Sequence, residues 1–517
     1  MLRLSLLASL ALFLLHPQAA PFDLLIVNGR LLDGTGNPWR RADVGIRGDR
    51  IVAVGSLRGA PASRTIDAAG RLIAPGFIDA HSHAAEALTR EPLRDAKALV
   101  AQGVTTIIGN PDGGGPVDLA AQRTALEQGG AGVNVGLLIG HGSVRSSVMG
   151  QADRAPTAGE LARMQALVAR AAGEGALGLS SGLFYAPGSF ATLDEVIALA
   201  RAAGGVYASH VRDEGNYSIG VIASVQEVID VAEQAGVRGI VTHIKALGPD
   251  SWGLGAAAAT RIELARARGV DVLADQYPYS ASSTSLGAAV VPRWAQAGGS
   301  AAFRTRLADP PTRAKIIGEM RENVRRRGGA AAIVIASHGA NRALEGQSLD
   351  QIAEARQKAP ELAALDLVEA GGASIVSFNM SEEDIVALMR RPWMMTSSDG
   401  GLALPGEGRP HPRNNGAFTR KLTHYVLQRG VVSLEDAIRS MTSLPAATFG
   451  LDGRGAIEPG AFADLVVFDP AALRERATYA DPHQISEGMW LVLVNGRAVI
   501  QDGAFTGTRP GRVLRRN

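Results

Sequence analysis

Short apolar runs alternate with longer amphipathic stretches through most of the chain. Runs at residues 72–80, 104–109, 133–140, 177–181, 205–209, 239–242, 270–274 and 394–398 have the length and composition of strands. Between most of them lie Ala/Leu/Arg/Glu-rich segments with helical character, such as residues 158–172 and 193–203. Eight strands with intervening helices predict an α/β protein with a (β/α)8 (TIM) barrel over residues 75–450. The interval from about 287 to 392 is too long for one crossover. It predicts an insertion with its own helices and a strand near residues 332–337.

The two ends read differently. Residues 22–30 and 42–54 near the start, and 463–468 and 491–496 near the end, are rich in Leu, Ile and Val. Asn28-Gly29 follows the first of these runs, and Asn-Gly after an apolar run predicts a hairpin turn because both residues tolerate positive φ. The similar texture predicts one small β-sandwich domain assembled from both termini, residues 21–74 and 451–517. The first twenty residues differ again. Arg3 precedes a run from Leu4 to Leu15 that is apolar apart from Ser5 and Ser9, and the small residues Ala19 and Ala20 follow. That pattern predicts a signal peptide over residues 1–20 and an exported protein, periplasmic or secreted. Cleavage after Ala20 leaves Gln18 at a position that favours a small residue.

Composition narrows the chemistry. The 517 residues are 46% hydrophobic and 20% charged, which describes a folded chain rather than a disordered one. With 52 Lys+Arg against 50 Asp+Glu the net charge is +2, which excludes charge-driven nucleic-acid binding as the default. Past the leader, no segment offers 18 uninterrupted apolar residues, so no membrane partner is expected. There is no cysteine. Disulfides, thiolate-held zinc, iron–sulfur clusters and thiol nucleophiles are therefore excluded. A catalytic metal must be held by His, Asp, Glu or a modified Lys.

Polar residues fall where the predicted barrel strands end. His81 and His83 close the first run, and residues two apart on a strand project to one face. His210 follows residues 205–209, His243 follows 239–242, His141 follows 133–140, and Asp399 follows 394–398. Of ten histidines in the chain, five thus sit at predicted strand ends, where this fold carries its catalytic groups. Neutral imidazoles suit Zn²⁺, which acidifies a bound water and polarises a carbonyl. Asp399, beside that water, fits a general base that then acts as general acid; its alternative is a helix cap.

The ordered motifs resemble those of the N-acyl-D-amino-acid deacylases (D-aminoacylases) of the amidohydrolase superfamily. They include Gly76-Phe77-Ile78-Asp79-Ala80-His81-Ser82-His83, Gly140-His141-Gly142-Ser143, Ser209-His210-Val211-Arg212-Asp213-Glu214-Gly215, His243-Ile244-Lys245-Ala246, Asp275-Gln276-Tyr277-Pro278-Tyr279, and Ser398-Asp399-Gly400 followed by Pro410-His411-Pro412-Arg413. The resemblance implies hydrolysis of N-acyl-D-amino acids to a D-amino acid and a carboxylic acid. It implies one or two zinc ions on His81, His83, His210, His243 and Asp399. It also implies a grip on the substrate carboxylate by Lys245, Tyr277 and Arg413, with Tyr185 nearby, and His141 is a candidate to assist the oxyanion. The expected partner is a small molecule with an amide and a free carboxylate.

One departure stands out. The family carries a metal-binding cysteine after the second strand, and here the turn reads Gly109-Asn110-Pro111-Asp112-Gly113. Pro111 has no ligand atom in its side chain. Asp112 either takes over the bridge between two cations or is simply a turn residue. The fourth strand offers Ser180 and Ser181 instead of the lysine that other amidohydrolases carbamylate. His338, at the end of the strand inside the insertion, reads as structural. A D-residue dipeptidase or a cyclic-amide hydrolase is an alternative on the same scaffold, and an exported, inactive binding protein is an alternative of another class.

Overall fold

The computed structural model describes residues 21–516; the expected signal peptide lies outside the described residues. Eight parallel strands form the barrel: Phe77–Asp79, Val104–Gly109, Asn134–Leu137 continued by Ile139–Gly140, Gly178–Gly182, Val206–His210, Arg238–Val241, Val272–Gln276 and Met394–Thr396. The first and eighth strands close the ring where their polar ends begin. The amide of Asp399 donates to His81 O at 2.9 Å, and Ser82 and Gly400 form a parallel bridge. Helices cover the outside. Helix Ala158–Gly173 begins with a capping box, in which Thr157 and Glu160 satisfy each other's backbone amides. Helix Leu193–Ala203 begins on the Thr192 hydroxyl, which turns Glu195 of its first turn inward.

Both termini build one β domain, as expected. Its nine strands hydrogen-bond into a single mixed sheet rather than the two separate sheets of a sandwich. Alternation gives the sheet two apolar faces. Leu465, Val467, Leu491 and Leu493 enter the domain's own core with Ile26, Val44 and Ile51, whereas Val466, Phe468, Val492 and Val494 join the barrel core. Asn28-Gly29 does not make a hairpin. It sits inside strand Leu24–Leu31 as a bulge, with Asn28 at φ 59°. A bulge uses the same positive φ as a hairpin turn, so sequence could not separate them. The equivalent Asn495-Gly496 does turn the chain, between Met489–Val494 and Arg497–Gln501. The end of the chain leaves the β domain: Val513–Leu514 pairs with Asn134–Leu137 of the barrel.

The expected insertion follows the seventh strand. Strands Ser282–Ser285, Ser374–Ser377 and Ile333–Ser337 form an antiparallel sheet with the second of these in the middle. Leu286, Ile316, Met320, Ile335 and Leu349 belong to a core separate from that of the barrel. Ser282, Ser337 and Ser374 of this sheet border a cavity of about 400 Å³ at the mouth of the barrel.

Candidate metal centre

The cavity floor is made where five strands end. His81 and His83 follow the first strand, Asp112 lies in the turn after the second, His210 ends the fifth, His243 follows the sixth and Asp399 follows the eighth. Ligand atoms of His81, His83, Asp112 and Asp399 lie within 4.8 Å of one another, and so do those of Asp112, His210 and His243. Asp112 belongs to both groups. Its Oδ1 is 3.4 Å from His81 Nε2 and 3.4 Å from His243 Nε2. Its Oδ2 is 3.4 Å from His83 Nε2 and 3.7 Å from His210 Nδ1. Asp399 Oδ1 is 3.2 Å from His83 Nε2 and 3.6 Å from His81 Nε2.

The donor set fits a cation. His81 Nε2, both ring nitrogens of His210 and Asp112 Oδ1 are buried without a hydrogen-bond partner. Buried polar atoms are nearly always satisfied, so this many orphans facing one point marks a site for a further group. Nitrogen and carboxylate oxygen donors suit zinc.

Tight packing and hydrogen bonds hold these groups in place against backbone strain. Asp112, His243 and Asp399 have φ of 56°, 35° and 48°. Such left-handed conformations at non-glycine residues cost on the order of 1–3 kcal/mol each. The Asp112 turn is fixed from two sides. Ser180 Oγ donates to Asn110 O at 2.7 Å and accepts from Gly113 N at 3.1 Å, so the strand-four serine serves as a clamp on the loop. The Asn110 amide pairs reciprocally with that of Gln122 at 2.8 and 2.9 Å. A Cβ on Gly182 would lie 2.2 Å from Asp112 O, so that contact requires glycine.

Three carboxylates missed by sequence reasoning organise the ligands. Asp79, fully buried, accepts from Ser398 N at 2.8 Å and His81 N at 3.3 Å, joining the first and eighth strand ends. Burial pushes its carboxyl up to about 6. Asp275 Oδ1 accepts from His243 N at 2.9 Å. Glu214 accepts from Lys245 Nζ and lies 3.2 Å from His243 Nδ1 and 3.7 Å from His210 Nε2. Burial opposes its ionisation, but the Lys245 ammonium and His210 hold it well below the usual carboxylate range. A carboxylate behind a ligating imidazole fixes its tautomer and orientation. The His210-to-Glu214 spacing, one helical turn in sequence, was the available signal.

Without a cation the cluster is polarised. Burial and Lys245 oppose a charge on His243, yet Asp399 and Asp112 outweigh them and raise it to about 10. His83 is raised to about 9, burial being outweighed by hydrogen bonds to Asp112 and Asp399. Burial opposes the ionisation of Asp112 and Asp399 as well. The His81 and His243 charges beside Asp112, and the Arg413 and His243 charges beside Asp399, outweigh it and hold both carboxyls far below their usual range.

The expected carboxylate-binding residues line the same cavity: Lys245, Tyr185, Tyr277 and Arg413. Tyr277 lies between two cations, with Arg413 Cζ 4.6 Å and Lys245 Nζ 5.5 Å from its ring centre. Arg413 Nη1 is 2.7 Å from Asp399 Oδ2, but neither Nη1 nor Nε makes an aligned hydrogen bond. The Tyr185 ring stands 4.7 Å from that of His210, and its hydroxyl is 3.1 Å from Thr284 Oγ1. His411, which sequence did not single out, also lines the cavity. It donates from Nε2 to Ala281 O at 3.0 Å and accepts from Arg413 N at 3.0 Å, fixing the start of the Arg413 helix.

His141 is a correction. It does not line the cavity. As the first residue of helix His141–Met149 it turns behind the Asp112 loop, where Nε2 meets Glu195 Oε1 at 2.9 Å. Glu195 also accepts from Arg145 Nε at 3.0 Å, making a fully buried trio. His338 is also buried and accepts from Asn341 N at 2.9 Å, in keeping with a structural role.

The sequence pattern of the amidohydrolase family matches residues 64–500. The chain is 37% identical to D-aminoacylase of Alcaligenes xylosoxydans xylosoxydans over 525 residues, covering 96% of this chain and 99% of that relative. It is 38% identical to the N-acyl-D-glutamate deacylase of the same organism over 520 residues, covering 96% and 97%. A crystal structure of D-aminoacylase superposes with a TM-score of 0.82 at 35% identity, covering 96% of this chain and 100% of the other. The N-acyl-D-glutamate deacylase from Bordetella bronchiseptica, complexed with zinc and a phosphonate inhibitor, superposes with a TM-score of 0.81 at 34% identity, with 96% and 100% covered. A (β/α)8 barrel with a β domain from both termini, and full-length likeness to these enzymes, have one reading: the chain belongs to the amidohydrolase family and, within it, to the N-acyl-D-amino-acid deacylases.

Proposed function

We propose that this protein is a zinc-dependent hydrolase that cleaves the amide bond of N-acyl-D-amino acids, releasing the D-amino acid and a carboxylic acid. The observation that carries the reading is the position of Asp112. Each of its oxygens faces two imidazoles, so one carboxylate joins two donor sets where the family uses a cysteine. His81, His83, Asp112 and Asp399 would hold one ion, and Asp112, His210 and His243 a second. Zinc there supplies Lewis acidity, lowering the pKa of water toward ~7 and polarising the acyl carbonyl.

The remaining chemistry belongs to the chain. Arg413, Lys245 and the neutral phenol of Tyr277 converge on the cavity and suit the substrate α-carboxylate. Arg413 keeps two unaligned N–H groups for that fork-to-carboxylate pairing. Asp399 is ionised and so accepts the proton of the attacking water. It then delivers that proton to the departing nitrogen, so water adds across the amide without a net proton change. A cavity of about 400 Å³ suits a small substrate. No helix among the described residues is long and apolar enough to cross a membrane. The leader-like start of the sequence supports export to the periplasm or medium. There, a carboxylate in place of an oxidisable thiolate is an advantage.

The test is metal removal. Chelator-treated protein should lose hydrolysis of N-acetyl-D-amino acids and regain it with one or two equivalents of zinc. Full activity in demonstrably metal-free protein would overturn the reading. Zinc uptake with tight ligand binding but no hydrolysis would favour a binding protein.

A further inference from the structure

The β domain reaches the wall of the cavity through one long connection. Strands Leu465–Phe468 and Met489–Val494 are antiparallel neighbours in its sheet. A turn of about two to five residues would join such a pair. Residues 469–488 join them instead, and long connections within a compact fold usually serve a function. At the base of this arm Arg474 N donates to Glu487 O at 2.9 Å and Glu487 N to Arg474 O at 3.0 Å. Along it Leu473, Glu475, Ala477 and Tyr479 are buried or half-buried, alternating with exposed Arg474, Arg476 and Thr478. None of the residues lining the cavity belongs to the arm.

The arm clamps the helix that presents Arg413. Arg413 is the first residue of helix Arg413–Arg420. Asn415 Nδ2 donates to Pro482 O at 2.7 Å, and Asn415 O accepts from Ser486 Oγ at 2.7 Å. A Cβ on Gly416 would lie 2.6 Å from the Tyr279 hydroxyl and 3.2 Å from Glu475 Cγ, so glycine lets the helix lie against the arm. At the far end of the helix, Arg420 Nη1 donates to Glu475 Oε2 at 3.1 Å. Glu475 Oε1 accepts from the Tyr279 hydroxyl at 2.8 Å, which ties helix and arm to the end of the seventh strand. Tyr479 braces the other side. Its ring stands 5.2 Å from His411, whose Nδ1 accepts from the Arg413 amide, and 4.8 Å from Phe378 beside the insertion sheet. His483 Nε2 donates to Gly408 O at 2.9 Å, in the loop that leads to His411.

We infer that this arm of the β domain is a positioning element for the hydrolysis, with Glu475 and Tyr479 as positioning residues that aim the Arg413 guanidinium at the substrate carboxylate; this rests on the deacylase reading and deepens it. A guanidinium fork is planar and directional, so its use depends on where its backbone points. Helix Arg413–Arg420 has only 8 residues before it widens into the π-helical stretch Lys421–Gln428. A helix that short takes its direction from packing rather than from its own stability. The packing here comes from a domain that contributes nothing to the cavity lining itself.

The experiment measures kcat and KM of zinc-loaded, full-length protein on N-acetyl-D-leucine and N-acetyl-D-glutamate. On each substrate that the wild type turns over, Glu475→Ala and Tyr479→Ala should raise KM about ten- to a hundredfold with kcat changed less, the scale expected for a misplaced binding group. Glu475→Gln and Tyr479→Phe keep the acceptor and the ring, and should recover most of that loss. In an Arg413→Lys background a flexible point charge replaces the fork. There Glu475→Ala should cost much less, because the two changes act on one interaction. An unchanged KM in both alanine variants overturns the inference and leaves the deacylase reading intact. So does an equal loss in both backgrounds, which marks general loosening of the fold. If Tyr479→Ala does not fold, Glu475→Ala and Glu475→Gln decide. Hydrolysis of neither substrate by the wild type overturns both.

Discussion

Asp112→Asn isolates the role of the carboxylate that stands in for the family's cysteine. Asparagine keeps the shape and tolerates the left-handed φ of 56° at this position, so the backbone is not the variable. What is lost is one negative charge within 3.4–3.7 Å of four imidazoles. At an effective dielectric of ~20, a unit-charge contact at ~3.5 Å is worth roughly 5 kcal/mol. Breaking one buried charge partnership typically costs about 3–5 kcal/mol. Zinc affinity should therefore fall by about a hundredfold to several thousandfold. Stoichiometry should drop toward one ion or none at micromolar free zinc, read by chelator competition and elemental analysis. Asp112→Cys, which offers a thiolate one position after the family's cysteine, should recover part of the affinity. Circular dichroism must show intact folding in both variants. Unchanged zinc content and unchanged kcat in Asp112→Asn would refute the bridging role and leave Asp112 as a turn residue.

Four further outcomes follow from the same geometry. Asp399→Asn should lower kcat by about 10²–10⁴, the usual scale of acid–base catalysis, in protein that still binds zinc through the Asp112, His210 and His243 set. Glu214→Gln removes the carboxylate behind His243 and His210, and should weaken zinc binding about ten- to a hundredfold, as measured by competition with a chelator. In metal-free protein His83 and His243 are protonated below about 9 and 10. Zinc must displace those protons, so its apparent affinity should rise with pH between 6 and 9, and uptake should release protons to a pH indicator. Both histidines are raised above their unfolded value of ~6.5. Their contribution to stability is therefore full below that pH and is lost as pH rises through about 9–10, so metal-free protein should melt earlier at pH 10 than at pH 6.

The strand ends were legible because a buried parallel strand is a short apolar run with an abrupt polar end, and His81, His210, His243 and Asp399 mark such ends. Three observed boundaries differ: the fifth strand extends to include His210, the eighth stops at Thr396, and the first begins only at Phe77, because Leu72–Pro75 of the expected run pairs into the β-domain sheet. The insertion was legible from length alone, and its strand Ile333–Ser337 fell where the apolar run is. His141 was misread because sequence gives a residue's place after a strand but not its direction. One residue later the chain is already helical, and the ring points back to Glu195. Asp79 and Asp275 were missed because they sit inside apolar runs, where an acid looks like a tolerated exception. Only the fold shows that each accepts from the backbone amide of a candidate metal ligand, His81 or His243.

The central claim is most directly tested by the enantiomers of one substrate. With zinc-reconstituted protein, at least one of N-acetyl-D-leucine and N-acetyl-D-glutamate should release its amino acid rapidly, and the L enantiomer of that substrate should react slower by at least about a hundredfold, as expected when only one hand aligns amide and carboxylate together. Equal rates on the two enantiomers, or hydrolysis of neither D substrate, would contradict the assignment.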